Sequence, residues 1–188
     1  MPPKVKVKKG DILKAAFTLV REEGMDSLNA RRIACELGCS TQPIYGSFQT
    51  MNDLKKDVLQ LIEKYHNHYF DKVVVDENFY VNVGITYVDF ALEEPNFFRL
   101  LFMSESFSGK QLTDFITTDP NQYIKSNIPE TVDMRSVSSQ MLFTNMWLFA
   151  HGIASLLVTN NLLISKEEIK NMMSEVFQAL NNKYSGGK

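Results

Sequence analysis

Little in this sequence could form a covalent scaffold or hold a metal. Its only cysteines, Cys35 and Cys39, are too few for a disulfide framework. Their i, i+4 spacing could supply half a metal site, but no clustered His or Cys completes it, so no metal and no cofactor are expected. Both read as small hydrophobes in a reduced, cytoplasmic setting. A P-loop, HExxH, GxSxG, CxxC and a catalytic spacing of paired carboxylates are all lacking, so no enzyme is expected. There is no internal repeat and no segment patterned as a strand. The opening Met-Pro-Pro-Lys lacks the apolar run of a secretory leader. Formal charge is missing over Val137 to Ser165, 29 residues without Asp, Glu, Lys or Arg. Length alone would allow a membrane span there. Ser138, Ser139, Gln140, Thr144, Asn145, His151, Gly152, Ser155 and the Thr159-Asn160-Asn161 end interrupt the apolar run. The segment is therefore expected to be a helix buried on both faces, one against its own core and one against a partner, and no membrane is expected to take part.

What is present belongs to a globular protein of one large or two small domains: 188 residues, 44% hydrophobic and 22% charged. The net charge of −2 does not by itself suggest a nucleic-acid partner. Its distribution is more informative. Residues 1–50 carry eight Lys/Arg against five acids, and the remainder twelve against seventeen. A basic head on an acidic body is expected when one end alone meets phosphate.

Helical punctuation runs through the whole chain. Met1 to Lys9 reads as a basic arm, either a phosphate or minor-groove contact or a solvating tail. Ile12, Leu13, Ala16, Phe17 and Val20 mark a first helix ended by Gly24. Asn29 caps a second helix with Ile33, Ala34 and Leu37 on its buried stripe, leaving Arg31 and Arg32 for phosphate or solvent. Gly38 closes it, and a short helix over about Thr41 to Phe48 follows, capped by Ser or Thr, with Pro43 in its first turn. There Ile44 and Phe48 face inward, while Thr41, Gln42, Tyr45, Gly46 and Ser47 stay outside. A face of small polar groups with one tyrosine suits a DNA groove. Thr50 caps a long helix through Leu54, Val58, Leu61, Ile62, Tyr65 and Tyr69 or Phe70. Its His66 and His68, two apart, point to different sides and do not share a metal easily.

The run Ile12 to Leu54 resembles the DNA-binding domain of the tetracycline-repressor (TetR) family of bacterial regulators. Its pattern IA-x-x-x-G-x-S-x-x-x-[IL]-Y-x-x-F is met by Ile33, Ala34, Gly38, Ser40, Ile44, Tyr45 and Phe48. The resemblance implies an all-α protein: a three-helix helix-turn-helix DNA-binding domain over residues 1–50, joined to a helical ligand-binding and dimerisation domain over 51–188. The DNA contacts it implies are Lys6, Lys8, Asn29, Arg31, Ser40, Thr41, Gln42, Tyr45, Gly46 and Ser47. Gly46 departs from the bulkier residue usual at its place.

Beyond the long helix, Val73 to Asn78 reads as a loop and Phe79 to Glu94 as a helix. Pro95 restarts a short apolar helix through Met103, and Ser104 to Gly109 reads as a linker. Short helices are expected around Leu112 to Ile116 and Tyr123 to Ile128. A final helix is capped by Ser165 with Glu168 three residues on, its apolar face Ile169, Met172, Met173, Val176, Phe177 and Leu180, and its tail frayed from Tyr184. Trp147, His151 and Gly152, with Glu94 to Met103, resemble one TetR C-terminal domain group. That resemblance implies a homodimer through a four-helix bundle, with Gly152 at a close helix approach. The dense aromatic residues read as core or as the lining of an apolar cavity. Tyr87, Phe102, Asn145, Trp147 and His151 are candidate ligand contacts.

The expected function is a regulator, a repressor that binds a palindromic operator as a homodimer and is released by a small, largely apolar effector. The competing reading is an all-helical apolar-ligand carrier or enzyme without DNA binding, or a dimerisation module acting through protein partners.

Overall fold

The computed structural model describes residues 7–104, 136–160 and 162–185. Among these the protein is built from eight α-helices and no strand. They are α1 (Lys9–Glu23), α2 (Ala30–Glu36), α3 (Gln42–Ser47), α4 (Met51–Tyr69), α5 (Phe79–Glu93), α6 (Pro95–Phe102), α7 (Val137–Asn160) and α8 (Lys166–Ser185). Short 3-10 turns, Met25–Ser27 and Phe70–Lys72, follow α1 and α4. The short helices expected near residues 112–116 and 123–128 lie outside the described residues. The contacts divide the chain into two compact units. The first runs to Tyr65 and takes in α6 from Asn96; the second comprises His66–Pro95 with α7 and α8.

In the first unit α1 buries Ile12, Ala15, Ala16, Leu19 and Val20 and stops at Gly24, whose φ of 85° suits a residue without Cβ. The helix begins within the expected arm. Lys8 N–H donates to the Asp11 carboxylate at 2.9 Å, and an acid in the first turn favours a helix start. Lys9 is also committed to the fold: its Nζ lies 2.7 Å from Asp57 Oδ2 and 4.7 Å from the Phe48 ring centre. Asn29 caps α2 as expected, its Oδ1 accepting from Arg31 N–H (3.1 Å) and Arg32 N–H (3.0 Å). At the far end, Gly38 (φ 60°) donates to Cys35 C=O at 3.1 Å and Cys39 to Ala34 C=O at 2.9 Å. This pair of bonds is a Schellman motif, which satisfies carbonyls at the end of α2 and turns the chain into α3.

Three rings from separate helices close this unit. Phe17 of α1, Tyr65 of α4 and Phe97 of α6 lie with centroids 4.8–5.8 Å apart, in the tilted and edge-on geometry aromatic pairs prefer. Asn96 Nδ2 donates to Arg21 C=O at 2.9 Å, serving one of the carbonyls that α1 leaves open at its end. α4 opens with a reciprocal cap: Asp53 N–H donates to Thr50 Oγ1 (3.2 Å) and Thr50 N–H to Asp53 Oδ2 (3.0 Å). Along α4 the deeply buried positions are Leu54, Val58, Ile62 and His66.

In the second unit α5, α7 and α8 pack pairwise. α5 is buried over most of its surface, with Phe79, Val81, Tyr87, Val88, Phe90 and Ala91 inside. The charge-free segment forms α7 up to Asn160, and that helix is long and apolar enough to cross a membrane. It buries Leu142, Met146, Ala150, Ile153, Ala154, Leu157 and Val158, an interior face of a helical core. α8 starts at the expected cap, with Ser165 N–H donating to Glu168 Oε2 at 2.8 Å and Glu168 N–H to Ser165 Oγ at 3.2 Å. Lys166 Nζ reaches Asp89 at 2.8 Å, tying α8 to α5. At Tyr184 and Ser185 the expected fraying does not occur: α8 continues through Ser185, and Asn145 Nδ2 donates to Tyr184 Oη at 3.2 Å. Residues 186–188 lie outside the described residues.

Candidate functional site

α3 is six residues long, too short to stand alone, and its inner side anchors it. Ile44 and Phe48 are buried as expected from their spacing. The outer side carries Ser40, Gln42, Tyr45 and Gly46, all exposed, with Thr41 and Ser47 half-buried. Tyr45 is 56% exposed. An aromatic ring held in water next to two fully engaged anchors is what a surface prepared for a partner looks like. The side-chain cap expected from Ser or Thr is not made by Thr41, the residue before α3. Thr41 has a helical backbone (φ −72°, ψ −12°), whereas a capping residue is normally extended. Pro43, two residues on, also lacks one of the N–H groups such a cap would serve.

Six of the expected DNA contacts, Ser40, Thr41, Gln42, Tyr45, Gly46 and Ser47, thus lie on α3 and the residue pair before it, four of them exposed and two half-buried. Asn29 and Arg31 sit apart from it in sequence, at the start of α2. Asn29 is engaged twice, capping α2 through Oδ1 and donating from Nδ2 to Ser27 C=O at 3.2 Å. Its part is to aim the first turn of α2. Arg31 is exposed, whereas Arg32 is held by an ion pair with Glu23. Lys8 is half-committed, its backbone starting α1 while its side chain extends from an exposed position. Lys6 lies outside the described residues.

Residues 12–58 match the family model of bacterial regulatory proteins, tetR family. The N-terminal helices form a TetR-type helix-turn-helix domain. A search of curated proteins found no match. The TetR match supports a transcriptional regulator that binds DNA, and it ends at the eighth residue of α4, so it covers nothing of the second unit.

In that second unit the sequence-derived ligand contacts separate into groups. Tyr87, Trp147 and His151 come together: Tyr87 Oη lies 3.0 Å from His151 Nδ1, and the Trp147 ring stacks on the imidazole at 5.4 Å. His151 Nε2 is 3.3 Å from Ser155 Oγ, one turn along α7. Burial lowers the pKa of His151 and favours the neutral ring. A neutral imidazole carries one N–H, so if it accepts from Tyr87 it donates to Ser155, and the reverse order is coupled in the same way. Asn145 stands outside this cluster, its Nδ2 shared between Met141 C=O (2.7 Å) and Tyr184 Oη. Phe102 belongs to the first unit, buried with its ring 5.4 Å from Phe98.

Two features escaped the sequence reading. Ser155 completes the His151 chain, a position that i, i+4 spacing from the histidine could have suggested. His66 is buried between the rings of Phe70 (4.9 Å) and Phe90 (4.8 Å), which holds its pKa down to about 4. It continues the four-residue interval of Leu54, Val58 and Ile62, and that interval was its signal.

Proposed function

We propose that the protein is a transcriptional repressor that binds a palindromic DNA operator as a homodimer and is released by a small, largely apolar effector. The observation that carries the reading is the outer face of α3, with Tyr45 and Gln42 exposed above the buried Ile44 and Phe48 inside a TetR-type domain. A helix presented this way enters a major groove, and two copies read half-sites about one helical turn apart. In this reading residues 1–50 carry the DNA-binding function, and 51–188 carry effector binding and self-association, in a cytoplasmic protein. The Tyr87–His151–Ser155 chain is the polar anchor for the effector among apolar rings. α4 is the transmitter. An effector that prefers the DNA-incompetent form shifts the population, and a complete switch takes roughly 5.5 kcal/mol of differential affinity.

The test is selection of random duplex DNA by the purified protein, followed by binding across a salt series. A palindromic winner with a steep salt slope is expected. Tyr45→Ala, truncating an exposed side chain, should weaken binding to that winner by about ten- to a hundredfold with an unchanged melting temperature. Failure of the wild type to enrich any duplex at low salt would reject the reading.

Self-association is supported by the outer face of α7. Met141, Leu148, Gly152 and Leu156 fall on one side of it, with Leu148 42% and Leu156 50% exposed. A Cβ built on Gly152 meets nothing within 4 Å, so the fold of one chain does not require a glycine there. Gly152→Leu adds an apolar side chain without charge. It should raise the dimer dissociation constant by at least about tenfold, roughly 1.4 kcal/mol, in sedimentation, while the helix itself becomes no less stable. An unchanged dimer would place the interface elsewhere.

A further inference from the structure

The glycines among the described residues differ in what holds them. Gly24 and Gly38 have positive φ, which disfavours any side chain. Gly84 is enforced by packing, since a Cβ there would come 1.9 Å from Met173 Cε. Gly46 has neither reason. It sits inside a six-residue helix, its φ is not in the positive region, and a Cβ built on it meets nothing within 4 Å. Glycine is a poorer helix former than every residue but proline, so it weakens a helix already at the lower limit of length. Among the described residues nothing offsets that cost, and the reason for it is sought on the partner's side. Gly10 shares the open surroundings but occupies the first turn of α1, whose N–H groups have no intrahelical partner in any case.

The surroundings of Gly46 define the shape offered. Gln42, one turn earlier, projects from the same side of α3, and Tyr45 stands beside it in solvent. A Cβ on Gly46 would stand in open space, so the helix backbone is bare there and a base can approach it more closely by about the depth of a methyl group. On the major-groove floor the group of that size that projects toward a helix is the thymine 5-methyl, while adenine offers the donor and acceptor that a glutamine pairs with. We infer that Gly46 lets a thymine methyl close on the bare helix backbone beside the base read by Gln42, which makes T·A the preferred pair at one position of each half-site. The inference rests on the DNA-binding reading above and adds to it one base identity and the atom that selects it.

An operator selected by the wild type, with its thymines replaced one position at a time by deoxyuracil, tests this. Gly46→Ala should melt no lower than the wild type, because alanine favours the helix, yet bind the selected operator about tenfold more weakly. Deoxyuracil at one symmetric position should restore its binding to near wild-type affinity, since the added methyl of alanine replaces the methyl removed from the base. Undiminished binding by Gly46→Ala overturns the inference, and so does a loss that no single deoxyuracil position relieves. If Tyr45→Ala loses binding while Gly46→Ala does not, only this inference falls. If the wild type selects no duplex at all, the DNA reading fails and takes the inference with it.

Discussion

Gly84→Leu is expected to lower the thermal midpoint by about 6–12 °C, from overpacking of up to about 3 kcal/mol in a chain of this size. The site has no room. Beyond the 1.9 Å approach to Met173 Cε, a Cβ on Gly84 lies 3.7 Å from Ala150 Cβ, so α8 and α7 both crowd α5 at this residue. Met173 is fully buried and has no solvent to swing into. Alanine is a milder probe, because its better helix propensity offsets part of the crowding by about 1 kcal/mol. The discriminating measurement is a cycle with Met173→Ala. Shortening Met173 should recover much of what Gly84→Leu loses, whereas independent losses would show that the contact does not limit packing at this site.

The second large effect is acid sensitivity through His66. Its pKa falls from the ordinary 6.5 to about 4 because burial penalises the imidazolium, opposed only by the side-chain hydrogen bond to Asn67. The unfolded chain therefore binds a proton below about pH 6.5 that the folded chain refuses until about pH 4. The sign follows: this contribution is complete above pH 6.5, diminishes as the pH falls through the window, and is gone below pH 4, a loss of order 3 kcal/mol. Burial of His151 acts in the same direction. Denaturant unfolding at pH 7.5 and 4.5 should show the loss, and His66→Phe should remove the larger part of it. An equal pH dependence in the variant would refute the assignment to His66.

Signals carried by two or three neighbouring residues were legible in the sequence. The Asn29, Thr50 and Ser165 caps, the stop at Gly24 and the turn at Gly38 are local hydrogen-bond devices, and each stands where its residue type indicated. The inward Ile44 and Phe48 against the outward Gln42 and Tyr45 follow from helical spacing alone. The cap of α3 expected from Ser or Thr is not made at Thr41, where Pro43 and a helical backbone withdraw its geometry. What was not legible depends on contacts between distant residues. The helical ordering of Tyr184 rests on α8 lying against α7, and its partner Asn145 is 39 residues away. Phe102 was grouped with Tyr87 and Trp147 by aromatic composition, but composition does not tell which core a ring enters.

The aromatic closure of the first unit bears on the order in which the protein is made. The residues that match the TetR family end at 58, yet the core beneath them is completed by Phe97 and Asn96, the latter bonded to Arg21 across 75 residues of chain. Chains emerging from the ribosome fold their N-terminal parts first where the contacts are local. Here the helix-turn-helix emerges early with one side of its core uncovered, at Phe17 and later at Tyr65. The DNA-reading head is finished only once the polypeptide has grown past α5 and returned through α6.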